Sequence, residues 1–331
     1  VNVNVKKFLP GIVASFVIAS AGWYSGNIFP IVGGAVFSIL IGMFVSSIRN
    51  FPVLTPGAGY AGKKFLQLSI ILIGFDMNML KVLEVGAESI VVMMFTLSAA
   101  FFTAWVAGNF LRLGSNTVTL IGVGTAVCGG SAIAAVAPII KADDKDIAHS
   151  ISTIFLFSII AVFVFPAIGR VFAISDVGFG ILAGTAINDT SSVLAASYSY
   201  SDSAGELAAI VKLTRTLTIL PIAFALSVYV SRKSAGGSKF NFAKTFPWFV
   251  IGFILAAAFN TFGLIPGGAG ASKYPAAAGK FLIAVAMAGI GLNTDLLKLV
   301  RSGGRPIALG FSCWIVIALV SVTVQYFMGL L

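Results

Sequence analysis

Two short polar stretches stand out for the chemistry that their residue types could support. Asn188-Asp189-Thr190-Ser191-Ser192 places an amide, a carboxylate and three hydroxyls in a row, between the apolar runs GFGILAG and VLAAS. Cys128-Gly129-Gly130-Ser131 is likewise flanked by apolar sequence. A carboxylate in such surroundings suits a proton carrier, its pKa raised by burial, or a cation ligand. Asp189 is therefore the candidate for ion coupling; the alternative is that it caps a half-helix through the amides of Thr190 and Ser191. Lys212 and Arg215, in AIVKLTRTLT, stand three residues apart on one helical face. They could bind an anionic substrate or pair with Asp189 across helices. Alternatively their helix begins near Thr216 and both side chains snorkel to an interface.

The elements that position these residues follow from composition. Of 331 residues, 58% are hydrophobic and 10% charged, with a mean hydropathy of +1.03. A soluble domain needs far more polar surface than that. The apolar residues come in long blocks that are apolar on every face, which points to helices and away from a β-barrel. The expectation is an all-α polytopic membrane protein with about eleven transmembrane helices, near 8–25, 30–48, 64–78, 86–108, 117–140, 149–172, 178–199, 206–230, 246–263, 276–293 and 304–330. Residues 1–331 then form a single membrane domain: a first repeat over about 8–110, a broken-helix core over about 117–200 and a second repeat over about 206–331.

The repeat is read from an offset of 217 residues. Gly62-Lys63 returns as Gly279-Lys280, and Gly74-Phe-Asp-Met-Asn-Met-Leu-Lys81 returns as Gly291-Leu-Asn-Thr-Asp-Leu-Leu-Lys298. It pairs spans 2 to 4 with spans 9 to 11, an odd separation, so the copies cross the membrane in opposite directions. Inverted repeats of this kind build secondary transporters. A shorter echo at an offset of 60 relates Gly124-Thr-Ala-Val-Cys-Gly-Gly-Ser131 to Gly184-Thr-Ala-Ile-Asn-Asp-Thr-Ser191. Spans 5 and 7 are an even number apart and so should run parallel. Either a re-entrant segment is miscounted or this echo is not an inverted relation.

Helices broken inside a membrane mark binding sites, because the freed backbone groups need a polar partner. The second half-helix presents unpaired N–H groups and the positive end of a dipole, suited to an anion. Cys128, Gly129, Gly130, Ser131, Asn188, Thr190, Ser191, Ser192, Lys212 and Arg215 are accordingly the substrate-binding candidates, against the alternative of small residues packed closely between helices. The Asp76/Asn78 and Asn293/Asp295 pairs read as helix caps, with gate or ion sites as the alternative. His149, the sole histidine, reads as solvated. No metal-ligand spacing, P-loop, catalytic triad or haem motif is visible, so no cofactor is expected beyond a coupling H+ or Na+. Cys128 and Cys313 both fall in spans, which argues against a structural disulfide.

With the N-terminus in the cytoplasm, 14 basic residues fall inside and five outside (Lys81, Lys141, Lys145, Lys273 and Lys280). The positive-inside rule then predicts a cytoplasmic N-terminus and an external C-terminus. The inside set includes Arg49, Arg112, Arg170, Lys239, Lys244, Lys298 and Arg301. The stretch from Arg232 to Lys239 reads as a flexible basic loop, not a nucleic-acid patch.

At Val127-Cys-Gly-Gly-Ser-Ala-Ile-Ala-Ala-Val-Ala-Pro138, Asn188-Asp-Thr-Ser-Ser-Val193 and Val211-Lys-Leu-Thr-Arg215 the chain resembles the YeiH family of bacterial membrane proteins, over nearly its whole length. That family carries a Cys-Gly-Ala-Ser-Ala stretch, a His-Asp or His-Glu pair before a Val, and a Val-Lys-x-x-Arg segment. Gly130 here replaces the alanine and Asn188 the histidine, which leaves Asp189 as the titratable member of its pair. The resemblance implies a plasma (inner) membrane protein and, from the family's description as sulfate exporters, an anionic substrate.

The leading expectation is a secondary active transporter of a small anion such as sulfate or a sulfonate, working by alternating access and driven by an ion gradient. The alternative is a cation/proton antiporter built on Asn188-Asp189. An intramembrane hydrolase needs a second catalytic group beside Asp189 and none is visible, so no enzyme activity is expected. The expected partners are a small-molecule anion, the lipid bilayer and, as an option, a second copy in a homodimer, with no nucleic acid.

Overall fold

The computed structural model describes residues 5–29, 32–48, 51–233, 246–264, 271–295 and 303–331. Arg49, Lys239, Lys244, Lys298 and Arg301 lie outside them, as does the basic loop beyond Lys233. All regular structure among the described residues is helical. Six stretches are long and apolar enough to cross a membrane: Lys7–Ile28, Met79–Phe110, Lys145–Val171, Asp202–Val230, Lys273–Leu292 and Gly304–Met328. Phe44, Phe102, Trp105, Phe110, Tyr326 and Phe327 are all largely exposed. An apolar surface that extensive is unfavourable in water and is the expected boundary with lipid. The chain is a polytopic membrane protein.

Its first part runs α1 (Val5–Ile28), α2 (Gly34–Ile48) and α3 (Thr55–Tyr60), with Pro56 in the first turn of α3. Pro is tolerated there because its missing N–H has no partner to lose. A π turn at Ala61–Phe65 carries the chain into α4 (Leu66–Gly74), and α5 (Met79–Phe110) follows. Asn78 caps α5, its Oδ1 accepting from Leu80 N at 2.8 Å, as the sequence predicts.

Two short helices, α6 (Ser115–Ala126) and α7 (Gly130–Ile140), precede the long α8 (Asp144–Val171). Two more, α9 (Asp176–Ala186) and α10 (Thr190–Tyr200), precede α11 (Asp202–Leu217) and α12 (Ile219–Lys233), which are separated only by Thr218. The chain closes with α13 (Trp248–Thr261), α14 (Lys273–Leu292) and α15 (Gly304–Met328).

The segments expected to span at 117–140 and 178–199 do not cross. Each folds back on itself as a helical hairpin. At the mouth of the second, Tyr200 OH reaches Ile174 O at 2.5 Å and its ring stacks on Phe179 at 3.9 Å, so the end of α10 lies beside the start of α9. Gly180 packs on Leu207 and Ala208, and Gly184 on Val211, so α9 runs parallel to α11 while α10 runs against both. At the mouth of the first, Thr117 of α6 donates to Asp146 of α8 at 2.5 Å, a few residues past the end of α7. The physical reason is length. Helices of 12 and 11 residues reach only about 16–18 Å, against a hydrocarbon core of about 30 Å.

α8 joins the two hairpins, starting beside the mouth of the first and ending beside the mouth of the second, where Arg170 donates to Ser199 O. The hairpins therefore enter the molecule from opposite faces, termed here the Asp146 face and the Asp202 face. The difficulty over spans 5 and 7 disappears, because each hairpin returns to its own side. The echo survives in detail: an offset of 60 carries the end of α6 onto the end of α9 and the start of α7 onto the start of α10.

The surrounding helices show a second correspondence. A Cβ on Gly62 would lie 2.9 Å from Ile290 Cγ1 and 3.6 Å from Ala286 O. One on Gly279 would lie 3.1 Å from Ile73 Cγ1 and 2.9 Å from Ser69 O. An offset of 217 turns each set into the other. The same exchange relates Ser272 Oγ donating to Asp76 (3.4 Å) and Asn293 Nδ2 donating to Thr55 O (3.2 Å). Asn293 thus terminates α14 and bridges to another helix; the segment that Asn293 and Asp295 are expected to cap lies outside the described residues.

Candidate functional site

The site lies where the two hairpin tips meet. Gly129, at φ +71° and ψ −128°, turns the first tip in a conformation open essentially to glycine alone. A Cβ there would stand 3.6 Å from Asn188 O and Asp189 Cα of the second tip. The sequence candidates at 128–131 and 188–192 are thus brought together.

Each hairpin ends its first helix with unpaired carbonyls, the negative pole of the helix. α11 supplies the cations for both. Lys212 Nζ donates to Val127 O at 3.0 Å and Ile187 O at 2.9 Å. Arg215 donates from Nε to Ala126 O and from Nη2 to Thr125 O, each at 2.7 Å, and from Nη1 to Thr185 O. Both side chains are fully buried. Lys212 is ten residues into its helix, about 15 Å from the Asp202 face, so neither cation snorkels to an interface. Removal of either would leave several buried carbonyls unpaired, at about 1–3 kcal/mol each.

The starts of the second helices differ. Asp189 caps α10, its Oδ2 accepting from Ser191 N (3.0 Å), Ser192 N (3.4 Å) and the Ser191 hydroxyl. This is the capping arrangement the sequence allowed, displaced by one amide. No side chain caps α7. Ser131 is exposed there and turns its hydroxyl back on Cys128, at 3.2 Å from the carbonyl and 3.0 Å from Sγ. Two cations and two positive helix starts face two negative helix ends and one carboxylate. The free amides of α7 are the positive helix pole that no side chain occupies. Asn188 is buried, and its Oδ1 has no hydrogen-bond partner among the described residues. Thr190 is half-buried at the start of α10.

Two cavities lie towards the two faces, away from the tips. On the Asp146 face one of about 380 Å³ is lined by Gly59, Gly62, Ser152, Phe155, Asn293 and Asp295, among others. Phe155 also lies 3.2 Å from a Cβ placed on Gly130, so its ring stands between this cavity and the uncapped start of α7. On the Asp202 face one of about 120 Å³ is lined by Trp23, Gly33, Tyr198, Asp202, Lys280 and Ile283, among others. There the Lys280 ammonium lies 2.7 Å from the Asp202 carboxylate and 5.4 Å from the centre of the Tyr198 ring. Neither Ser152 and Phe155 nor this ion pair carries a motif; the only signal in the sequence was the repeat, which placed Lys280 opposite Lys63. His149 lies in the second turn of α8, half-buried and away from the tips.

A family model described as conserved hypothetical protein 698 matches residues 10–310. The chain is 42% identical to a UPF0324 membrane protein of Streptococcus pyogenes serotype M6, with 99% of each covered. It is 40% identical to a UPF0324 membrane protein of Fusobacterium nucleatum, covering 97% of this chain and 99% of the relative. A third, from Streptococcus mutans, is 42% identical over 97% of this chain and 98% of its own length.

Proposed function

The chain belongs to the UPF0324 family of membrane proteins, the YeiH family, and we propose that it is a secondary active transporter of a small anion of the sulfate or sulfonate type. One observation carries the reading: two hairpins entering from opposite faces meet tip to tip, and the second helix of the first hairpin starts there with no side-chain cap. Free amides at a helix start are an anion site, and those at the start of α7 are open to a ligand, Gly130 being half-buried and Ser131 exposed. The anion is held by the amides of Gly130 and Ser131 and by the Ser131 hydroxyl. Lys212 and Arg215 act through the backbone carbonyls they neutralise, so they set the potential of the site without touching the substrate.

The two offsets support an inverted-repeat architecture. Residues 30–110 correspond to 247–327, and the first hairpin with α8 corresponds to the second hairpin with α11 and α12. Hairpin folding also revises the charge count: Lys141 and Lys145 join Arg112 on the Asp146 face, and Arg170 moves to the Asp202 face. The change strengthens the positive bias of the Asp146 face and supports its assignment as cytoplasmic, with the N-terminus inside and the C-terminus outside a bacterial inner membrane. Asp189 binds and releases the coupling ion, H+ or Na+.

The test is counterflow of labelled sulfate and of a labelled alkylsulfonate into proteoliposomes. Saturable uptake that is lost in Ser131→Glu supports the reading; no saturable flux of either anion, with imposed pH and sodium gradients intact, rejects it. The unpartnered Asn188 Oδ1 beside Asp189 favours a second reading, a cation/proton antiporter, since two oxygen acceptors together suit a cation. Sodium-loaded vesicles with an internal pH dye separate the two, because only an antiporter moves protons in response to sodium alone.

A further inference from the structure

The two faces of the molecule are not equivalent, although the helices that build them correspond. On the Asp202 face the hairpin is docked: a Cβ on Gly33 of the loop before α2 would fall 3.0 Å from Ser199 of α10. Lys280 of α14 closes the junction by its ion pair with Asp202 and its contact with Tyr198. On the Asp146 face the larger cavity separates α3, the π turn and the end of α14 from α8.

The residues of the closed junction have counterparts on the open one. An offset of 217 carries Lys63, in the π turn, onto Lys280. The offset of 60 sets Asp202, the first residue of α11, against Ala142, whose neighbour Asp143 stands at the cap of the corresponding helix α8. Lys63 is exposed, as is Asp143, and neither makes an ion pair among the described residues.

We propose that Lys63 and Asp143 form the inner latch of this transporter, the counterpart of the outer latch Lys280–Asp202, and that the two latches close alternately. The proposal rests on the transporter reading. Rotation of the hairpin core against the scaffold opens the Lys280–Asp202 pair as it carries the start of α8 towards Lys63, because the same pseudo-two-fold axis relates both junctions. A latch has to be weak enough to open. The Asp202 side chain is 72% exposed and that of Lys280 26%, and exposed pairs of this type contribute about 0–1 kcal/mol. The π turn places Lys63 one residue beyond Gly62, which lines the open cavity, just as Lys280 follows Gly279. Lys63, Lys280 and the acids are positioning residues and do not touch the anion.

The test is chemical cross-linking of the full chain in membranes, where no substrate is needed. A lysine–aspartate pair spaces its Cα atoms too widely for a disulfide, so a short bis-methanethiosulfonate reagent is used on Lys280→Cys/Asp202→Cys and on Lys63→Cys/Asp143→Cys. Both pairs should cross-link. Fixing the 63 pair should abolish maleimide labelling of Ser152→Cys in the cavity, whereas fixing the 280 pair should leave it intact. If the 280 pair cross-links and the 63 pair does not, the inner latch is wrong. The inner latch is equally wrong if the 63 pair cross-links without protecting Ser152→Cys. Neither result bears on anion flux, and flux without a 63 cross-link would leave the transporter standing and remove the latch. Cross-linking of the 280 pair also shows that the variants fold.

Discussion

Gly129 and Asp189 stand 60 residues apart in the chain and face each other at the centre of the molecule, 3.6 Å from the glycine's Cβ direction to the aspartate Cα. That spacing is also the offset between the two hairpins. On the proposed inverted-repeat reading, a residue that touches its own counterpart lies on the axis relating the two copies, and the site of the proposed transporter belongs there.

Gly129→Ala should therefore be costly. The substitution forces a side chain into a backbone region that L-residues avoid, at about 1–3 kcal/mol, and presses on Ile154 and the opposite tip. Thermal unfolding in detergent should fall by several degrees and counterflow should disappear. Gly130→Ala, at helical dihedrals and against a Phe155 ring that can shift, should unfold close to wild type.

Arg215→Lys keeps the charge and loses the fork. An ammonium cannot reach the three carbonyls on two hairpins that the guanidinium spans, so buried acceptors are left unpaired. The expected loss is about 2–4 kcal/mol in chemical unfolding. A variant as stable as wild type would show that Arg215 does not clamp the tips.

Asp189 separates folding from coupling. Asn caps a helix about as well as Asp, whereas Ala costs about 0.5–2 kcal/mol. Asp189→Asn should unfold near wild type and Asp189→Ala should not, while both lose the dependence of flux on the driving gradient. Equal flux responses in wild type and Asp189→Asn would exclude this carboxylate as the coupling group.

Ser131→Glu tests the anion site from the other direction. An acid in the first turn of α7 stabilises the helix start by about 0.3–1 kcal/mol and occupies the place of the anion. The variant alone should melt higher than wild type, yet sulfate should no longer raise its melting temperature. Wild type should show a sulfate-dependent rise that follows saturation.

The polar residues at 128–131 and 188–192 were legible in the sequence because a carboxylate and paired glycines have few reasons to sit in apolar helices. Most helix positions were legible too, as hydropathy tracks lipid exposure. The folding-back of 117–140 and 178–199 was not, since a hydropathy pattern is the same for a helix that crosses and a pair that returns. Lys212 and Arg215 were recognisable as important, but their partners are carbonyls on distant segments, and any residue supplies a carbonyl. Lys280 and Asp202 are joined only by tertiary packing. They became interpretable through the repeat, which gave Lys280 a counterpart before any contact was known.

The grip of α11 on both tips limits how the protein can move. Freeing one hairpin from the other means breaking at least the two charge-assisted bonds to Ile187 and Thr185, at roughly 1.5–3 kcal/mol each, and stranding the carbonyls behind. Parting the hairpin core from α2 and α14 on the Asp202 face costs one exposed ion pair and some close packing. The softer joint wins. On the proposed transporter reading, the hairpins are thus not a pair of doors that swing in turn; they are a single carriage, both tips bolted to α11.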